Sequence, residues 1–201
     1  MSISAGARYF EWHEAPGYFG DITRHLTGAG AVLDVGCGTG WLAEHVVDYT
    51  GVDSSVEAVR AATAKGRRVL RADLTEPLPF SDGSFARVVI KDVLEHVDDP
   101  AVLVAEVRRV LVPGGLVFAS APDAQRWVWN DYTHRRPFTR VAMRRLFTDH
   151  GFVIRTVGYE SVVPGTSHVS ALTRNNRRPI VLRVAAWLPL VRRNVWVLAE
   201  R

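Results

Sequence analysis

Short apolar runs alternate with amphipathic stretches along most of the chain, and Gly, Asp or Pro bounds each run. Runs of this length read as buried strands: Ala31–Val35, Tyr49–Asp53, Arg68–Leu74, Ala86–Lys91 and Gly115–Ser120. Between them the period becomes helical. Trp41–Val47 follows a cluster of glycines, and Val56–Ala64 opens behind Ser54 and Ser55, whose side-chain oxygens suit an N-cap. Pro100–Val112 sets Leu103, Val107, Val110 and Leu111 on one face against Glu106, Arg108 and Arg109, and Pro113-Gly114-Gly115 reads as its stop. Strand and helix in alternation predict βαβ units, hence an α/β fold on a mostly parallel sheet rather than a sandwich or a bundle.

Beyond the fifth strand the pattern predicts a polar, aromatic segment from Asp123 to Phe138 and a helix from Thr139 to His150 closed by Gly151. Two strands follow, Phe152–Glu160 and Asn194–Glu200. Ser161–Arg193 between them has the weakest pattern. Within it Ile180–Val191 reads as a helix interrupted by Arg183 and Pro189; a lid or packing element is the reading taken, with a dimer face or a membrane-surface helix as alternatives. No linker, repeat or low-complexity block divides the 201 residues, so one domain is expected.

Composition narrows the setting. Cys37 is the only cysteine, which excludes an intramolecular disulfide framework and a thiolate metal cluster and favours the cytoplasm. No stretch reaches the roughly 18 apolar residues needed to span a bilayer, and no apolar run follows Met1–Arg8, so a soluble, unprocessed chain is expected. The net charge of +4 hides an asymmetry. Residues 1–125 carry 11 basic and 17 acidic side chains, a net of −6, whereas residues 126–201 carry 14 and 4, a net of +10. All 14 cations of the second part are arginines, whose planar donor fork suits phosphate or carboxylate, although a solvated face explains them equally well.

The chemistry centres on Val32-Leu33-Asp34-Val35-Gly36-Cys37-Gly38-Thr39-Gly40, an apolar strand running into closely spaced glycines and then a helix. Glycine is needed where the chain turns sharply and a ligand approaches the backbone. A dinucleotide loop of the form G-x-G-x-x-G would require glycine at position 41, which is Trp41, and no Gly-Lys-Ser or Gly-Lys-Thr follows as a P-loop would require. The spacing from Asp34 to Gly40 resembles the first motif of the class I S-adenosylmethionine-dependent methyltransferases, of the small methyltransferase-11 type. Four further motifs stand in that family's order: Gly51-Val52-Asp53, Ala72-Asp73-Leu74, the run Phe85 to Val97 that contains Lys91-Asp92-Val93-Leu94-Glu95-His96, and Leu111 to Gly115.

The resemblance implies a three-layer Rossmann-like fold with a seven-stranded, mostly parallel sheet and an antiparallel last strand. It also implies an N-terminal cap over 1–29, a cofactor half over 30–120, and an acceptor half over 121–201 with an insertion at 161–193. The cofactor would be S-adenosylmethionine and the product S-adenosylhomocysteine. Asp34, Gly36, Cys37, Gly38 and Gly40 would form the loop around it. Asp53 would take the ribose hydroxyls beside Ser54, and Asp73 the adenine amino group between Ala72 and Leu74. Lys91, Asp92 and His96 would line the methionine part, Lys91 through its carbonyl. Other readings leave Lys91 a solvated strand end and Glu95 and His96 capping or packing residues.

Methyl transfer from a sulfonium is an in-line displacement in which alignment supplies much of the catalysis. A hydroxyl acceptor also needs a proton acceptor, for which His134, oriented by Asp131, is the candidate, with His13 second and a substrate-contacting or loop-bracing role as the alternative. Trp127, Trp129 and Tyr132 form an aromatic wall or fill a core beneath the loop. No metal-ligand set is assigned. The expected partner is a small-molecule acceptor, methylated on oxygen or nitrogen, since the core fold uses almost the whole chain. Methylation of nucleic acid or protein through the arginine-rich part, and a non-catalytic cofactor-binding protein, are the alternatives. A monomer or a homodimer is expected.

Overall fold

The computed structural model describes residues 22, 25, 30–161 and 192–201. The proposed N-terminal cap with His13 and the helix at Ile180–Val191 lie outside these residues. Seven strands form one sheet: β1 (Val32–Val35), β2 (Tyr49–Asp53), β3 (Val69–Arg71), β4 (Phe85–Lys91), β5 (Leu111–Pro122), β6 (Val153–Ser161) and β7 (Arg192–Glu200). Their spatial order is β3-β2-β1-β4-β5-β7-β6. Every pairing from β3 across to β5 is parallel, and β7 alone runs antiparallel to both its neighbours. This is the α/β fold that the alternation and the family resemblance imply.

Alternation of period two gives the sheet its two apolar faces. Leu33, Val35, Val88, Ile90, Val117 and Ala119 point to one side, where α2 (Pro100–Val110) and α3 (Arg140–Asp149) cover them with Leu103, Val104, Val107, Met143 and Phe147. Val32, Val89 and Phe118 point to the other side, against Leu42 and, from α1 (Val56–Ala64), Ala62. Three layers result. Both faces of β1 are buried, which is why its sequence reads as a continuous apolar run interrupted only by Asp34.

Helix ends follow local chemistry. Ser55 Oγ accepts from the Ala58 N–H at the start of α1, and Thr139 Oγ1 accepts from Ala142 N–H at the start of α3. Thr139→Ala is expected to lower stability by about 1 kcal/mol in urea unfolding, the usual worth of such a cap.

Three expectations are corrected. Trp41–Val47 closes as a single 3₁₀ turn, Trp41–Glu44, with Leu42 its one fully buried residue and Val47 fully in solvent. The third strand is three residues long rather than seven, since β2 pairs with it only from Gly51 to Asp53. The helix expected to run to Val112 ends at Val110, and Pro113-Gly114-Gly115 is a bulge inside β5 rather than a turn before it. Phe85 pairs with Leu111 but Arg87 with Leu116, so the intervening residues are looped out, with Gly114 at φ 75°.

Candidate active site

In an open parallel sheet, ligands bind outside the carboxyl ends of the strands where the strand order reverses, here between β1 and β4. The glycine loop leaves β1 at that point. Gly36, Gly38 and Gly40 all take positive φ, at 69°, 54° and 74°. The amides of Gly36 and Cys37 both donate to the Val52 carbonyl, at 2.8 and 3.0 Å, which ties the loop to β2.

Asp53 closes this arrangement from the end of β2. Its Oδ2 accepts from the Gly38 N–H at 2.7 Å and its Oδ1 from the Ser55 N–H at 2.8 Å. Burial pushes its pKa above the ordinary value, against these backbone donors that pull it down. Beside it, Ser54, Arg71, Ala72 and Asp73 line a cavity of about 310 Å³. The Asp73 carboxylate accepts from Thr75 N–H and Thr75 Oγ1 at 3.0 and 2.8 Å and is held below its ordinary pKa by those bonds. A larger cavity of about 610 Å³, which includes Trp41, Tyr49 and Arg67 in its lining, opens at the opposite, amino end of β2.

Asp34 lies under the loop. Only 3 % of it is exposed, the Tyr49 hydroxyl donates to its Oδ2 at 3.0 Å, and burial pushes its pKa up to about 7. Cys37 is beside it, its thiol also pushed up by burial and by the charge of Asp34. A thiol held protonated is a poor nucleophile, in keeping with a backbone role for Cys37.

Lys91 is not the solvated strand end of the alternative reading. It is buried at the end of β4, with Nζ 3.3 Å from Asp92 Oδ2 and 3.6 Å from Glu160 Oε2. Burial lowers its pKa, and the two carboxylates more than offset this, so the ammonium is held above its ordinary value. Asp92 has φ 55°, a left-handed backbone that directs its carboxylate to Asn194 Nδ2 at 2.6 Å and Ser120 Oγ at 3.3 Å.

A second cluster stands on the acceptor side, where the turn after β4 meets the 3₁₀ turn Arg126–Asn130 and the loop behind it. Glu95 is 1 % exposed and its Oε2 has no hydrogen-bond partner among the described residues. Burial first, and the charge of Asp92 second, push its pKa well above the carboxylate range. The His96 and His134 rings meet edge to face at 4.8 Å. Burial and the neighbouring His134 hold His96 below its ordinary pKa.

His134 and Asp131 are neighbours, but Asp131 does not orient the imidazole through a hydrogen bond. His134 Nε2 is 3.7 Å from Asp131 Oδ2, while its Nδ1 lies 2.7 Å from the Val128 carbonyl, which fixes the ring. Asp131 is engaged by Thr133, through N–H at 2.9 Å and Oγ1 at 2.6 Å. Burial raises its pKa, and these donors outweigh it, so the carboxylate is held below the ordinary value. Trp129 and Tyr132, 56 % and 92 % exposed, fill no core; Val128 takes that place.

Sequence reasoning missed Tyr49, Thr133, Glu160 and Asn194. The first three belong to residue types too common to single out. Asn194 breaks the apolar side of β7 and was the one visible signal.

Residues 33–119 match the family model described as a methyltransferase domain. The chain is similar to an uncharacterized 37.1 kDa protein of transposon Tn4556 from Streptomyces fradiae, 31 % identical over 83 % of this chain and 56 % of that one. It is also similar to the ubiquinone biosynthesis O-methyltransferase of Xanthomonas oryzae, 36 % identical over 49 % of this chain and 46 % of that one. The chain thus spans about half the length of the curated relatives it matches. The S-adenosylmethionine-dependent methyltransferase of Mesorhizobium loti shares the fold, with a TM-score of 0.66 at 22 % identity over 90 % of this chain and 96 % of that one.

Proposed function

We propose that the chain is a class I S-adenosylmethionine-dependent methyltransferase that transfers a methyl group to an oxygen or nitrogen of a small molecule, a reading supported by the match of residues 33–119 to a methyltransferase domain. The carrying observation is the contact between Asp53 and Gly38. An acid at the end of β2 grips the second glycine of the loop and keeps lone pairs for a diol, beside a cavity bounded by Ala72 and Asp73. Those features fit an adenosyl group: a carboxylate for the ribose hydroxyls, an acid and backbone edge for adenine, and positive-φ glycines that leave room for the amino-acid portion.

When bound, S-adenosylmethionine supplies a sulfonium methyl; one bond forms from acceptor to carbon, the carbon–sulfur bond breaks, and its electron pair leaves on sulfur. The chain's own residues align and deprotonate. Lys91, Asp92 and Asn194 brace the end of β4, where the methionine part would lie. His134 Nε2 is the nitrogen left to accept a proton once Nδ1 donates to Val128.

Four described arginines of the basic part are engaged within the fold, which supports a small-molecule acceptor over nucleic acid. Arg155 pairs with Glu200, Arg135 with Asp98, Arg201 with the Leu111 carbonyl, and Arg140 lies over the Tyr159 ring. These cations brace the fold. No helix among the described residues is long and apolar enough to cross a membrane. The chain is proposed to act in the cytoplasm.

Calorimetry tests the reading. The protein is expected to bind S-adenosylmethionine and S-adenosylhomocysteine, and Asp53→Ala to weaken both by about 1.5–3 kcal/mol, roughly 10- to 150-fold. Failure of the intact chain to bind either ligand overturns the proposal. Binding to RNA or DNA that falls steeply with salt would move the acceptor to nucleic acid.

A further inference from the structure

We propose that Glu95, His96 and His134 form a binding site for a divalent first-row metal cation, open on one side to a hydroxyl-bearing acceptor. One donor atom from each residue lies within 4.8 Å of the others, and His96 Nε2 is 3.9 Å from Glu95 Oε1.

The hydrogen bonds around the cluster determine what faces its centre. Ionised Asp131 accepts only, so the Thr133 hydroxyl gives its one proton to Asp131 Oδ1 at 2.6 Å. The Thr133 oxygen must then accept from His96, 3.1 Å from Nδ1, which puts the proton of His96 on Nδ1 and leaves a lone pair on Nε2. The Val128 carbonyl at 2.7 Å does the same to His134, since a carbonyl can only accept. Two imidazole lone pairs therefore stand beside the buried Glu95 carboxyl, whose Oε1 is 3.9 Å from His96 Nε2 and whose Oε2 has no hydrogen-bond partner among the described residues. A divalent cation among these atoms would engage both lone pairs and take the place of the proton on Glu95. Outer partners that fix the tautomer of each ring are what metal-ligating histidines carry.

Two nitrogens and one carboxylate suit Zn²⁺, Mn²⁺, Co²⁺ or Fe²⁺ better than Mg²⁺ or Ca²⁺, which prefer oxygen. Metal–donor bonds of roughly 2.0–2.2 Å require the donors to draw in by under about 1.5 Å. Three protein ligands leave positions for water or an acceptor oxygen, with the half-buried Asp131 carboxylate 3.7 Å from His134 Nε2. With the cation bound, His134 Nε2 is a ligand and no longer the proton acceptor; a hydroxyl bound there loses its proton to solvent more readily than a free one, which prepares it for methylation on oxygen. That use of the site rests on the methyl-transfer reading; the cation site itself does not.

The test is metal binding to the chelator-treated full chain, by calorimetry with Zn²⁺ and by visible absorption with Co²⁺. One Zn²⁺ per chain is expected, weakened about 100-fold in Glu95→Gln and in His134→Ala, and about 10-fold in Thr133→Val, which keeps the ligands but frees the His96 ring. Co²⁺ should show d–d bands that His134→Ala removes. Thr133→Val should keep the wild-type melting temperature in chelator, so its weaker binding reports on the site and not on folding. No stoichiometric binding of either ion, or binding that the Glu95 and His134 variants leave unchanged, overturns the site. S-adenosylhomocysteine titrated into the same samples reads the other proposal separately: a chain that binds it but no metal loses the cation site alone.

Discussion

Gly36→Ala is expected to cost about 2–5 kcal/mol of stability and to abolish measurable binding of S-adenosylhomocysteine. Two independent penalties combine at this residue. Its φ of 69° is left-handed, which costs a residue with a Cβ about 1–2 kcal/mol. The added Cβ would also stand 2.3 Å from Val93 Cγ2 and 3.2 Å from Cγ1, an overlap that a packed core relieves only at a cost of about 1–3 kcal/mol. The chain cannot simply slide aside, because the Gly36 amide donates to Val52 and Val93 is buried in the main core. The double variant Gly36→Ala, Val93→Ala separates the two terms. Relative to Val93→Ala alone, the glycine substitution should then cost only its backbone part. Equal costs in the two backgrounds, read from urea unfolding, would show that the clash is absent.

The same residue shows why part of the site was readable from sequence. Gly36 to Gly40, Asp53 and Ala72-Asp73 are brought together by consecutive strands of one parallel sheet, so motif order along the chain reproduces position along the sheet edge. The acceptor side has no such rule. His96 meets Thr133 across 37 residues and Asp92 meets Asn194 across 102, and both contacts depend on where a loop or an antiparallel strand returns. Glu95 and His96 therefore had two open readings in the sequence, whereas their tautomers and their unpartnered oxygen emerge only with Thr133, Val128 and Asp131 in place.

Element type followed the same division. β1, β4 and the apolar face of α2 were legible because burial on two sides or one imposes a period that the residues display. The 3₁₀ turn after Gly40 and the bulge in β5 were not. In the first, the span read as helix to Val47 ends in a residue that stands fully in solvent; in the second, Pro113-Gly114-Gly115 is a sound helix stop by local rules, overridden because Leu111 already pairs with Phe85.

Asp34→Asn is expected to stabilise the protein by about 2–4 kcal/mol at pH 8, with the gain shrinking steadily as pH falls toward 5. The Asp34 carboxyl is buried beneath the glycine loop, and burial, aided by the nearby charge of Asp53, raises its pKa to about 7 from an ordinary 3.8, against the Tyr49 hydroxyl that lowers it. Between those two values the unfolded chain releases a proton that the folded chain retains. The native state then binds more protons, so stability falls as pH rises from about 4 to about 7 and stays low above it. At 1.36 kcal/mol per pKa unit the full difference of about three units sets an upper bound near 4 kcal/mol. Asparagine removes the charge and keeps an oxygen for the Tyr49 hydroxyl, so it loses no packing at Gly51, where a Cβ would already meet Tyr49 Oη and Cys37 Sγ at 2.6 Å. Asp53 and Glu95, also raised by burial, titrate in both proteins and cancel in the comparison. Urea unfolding of the two proteins at pH 5, 6.5 and 8 measures the difference directly. A gain that does not change with pH, or an asparagine variant less stable than the parent at pH 8, would mean that Asp34 is ionised in the folded state and that the loop rests on a charge rather than on a neutral hydrogen bond.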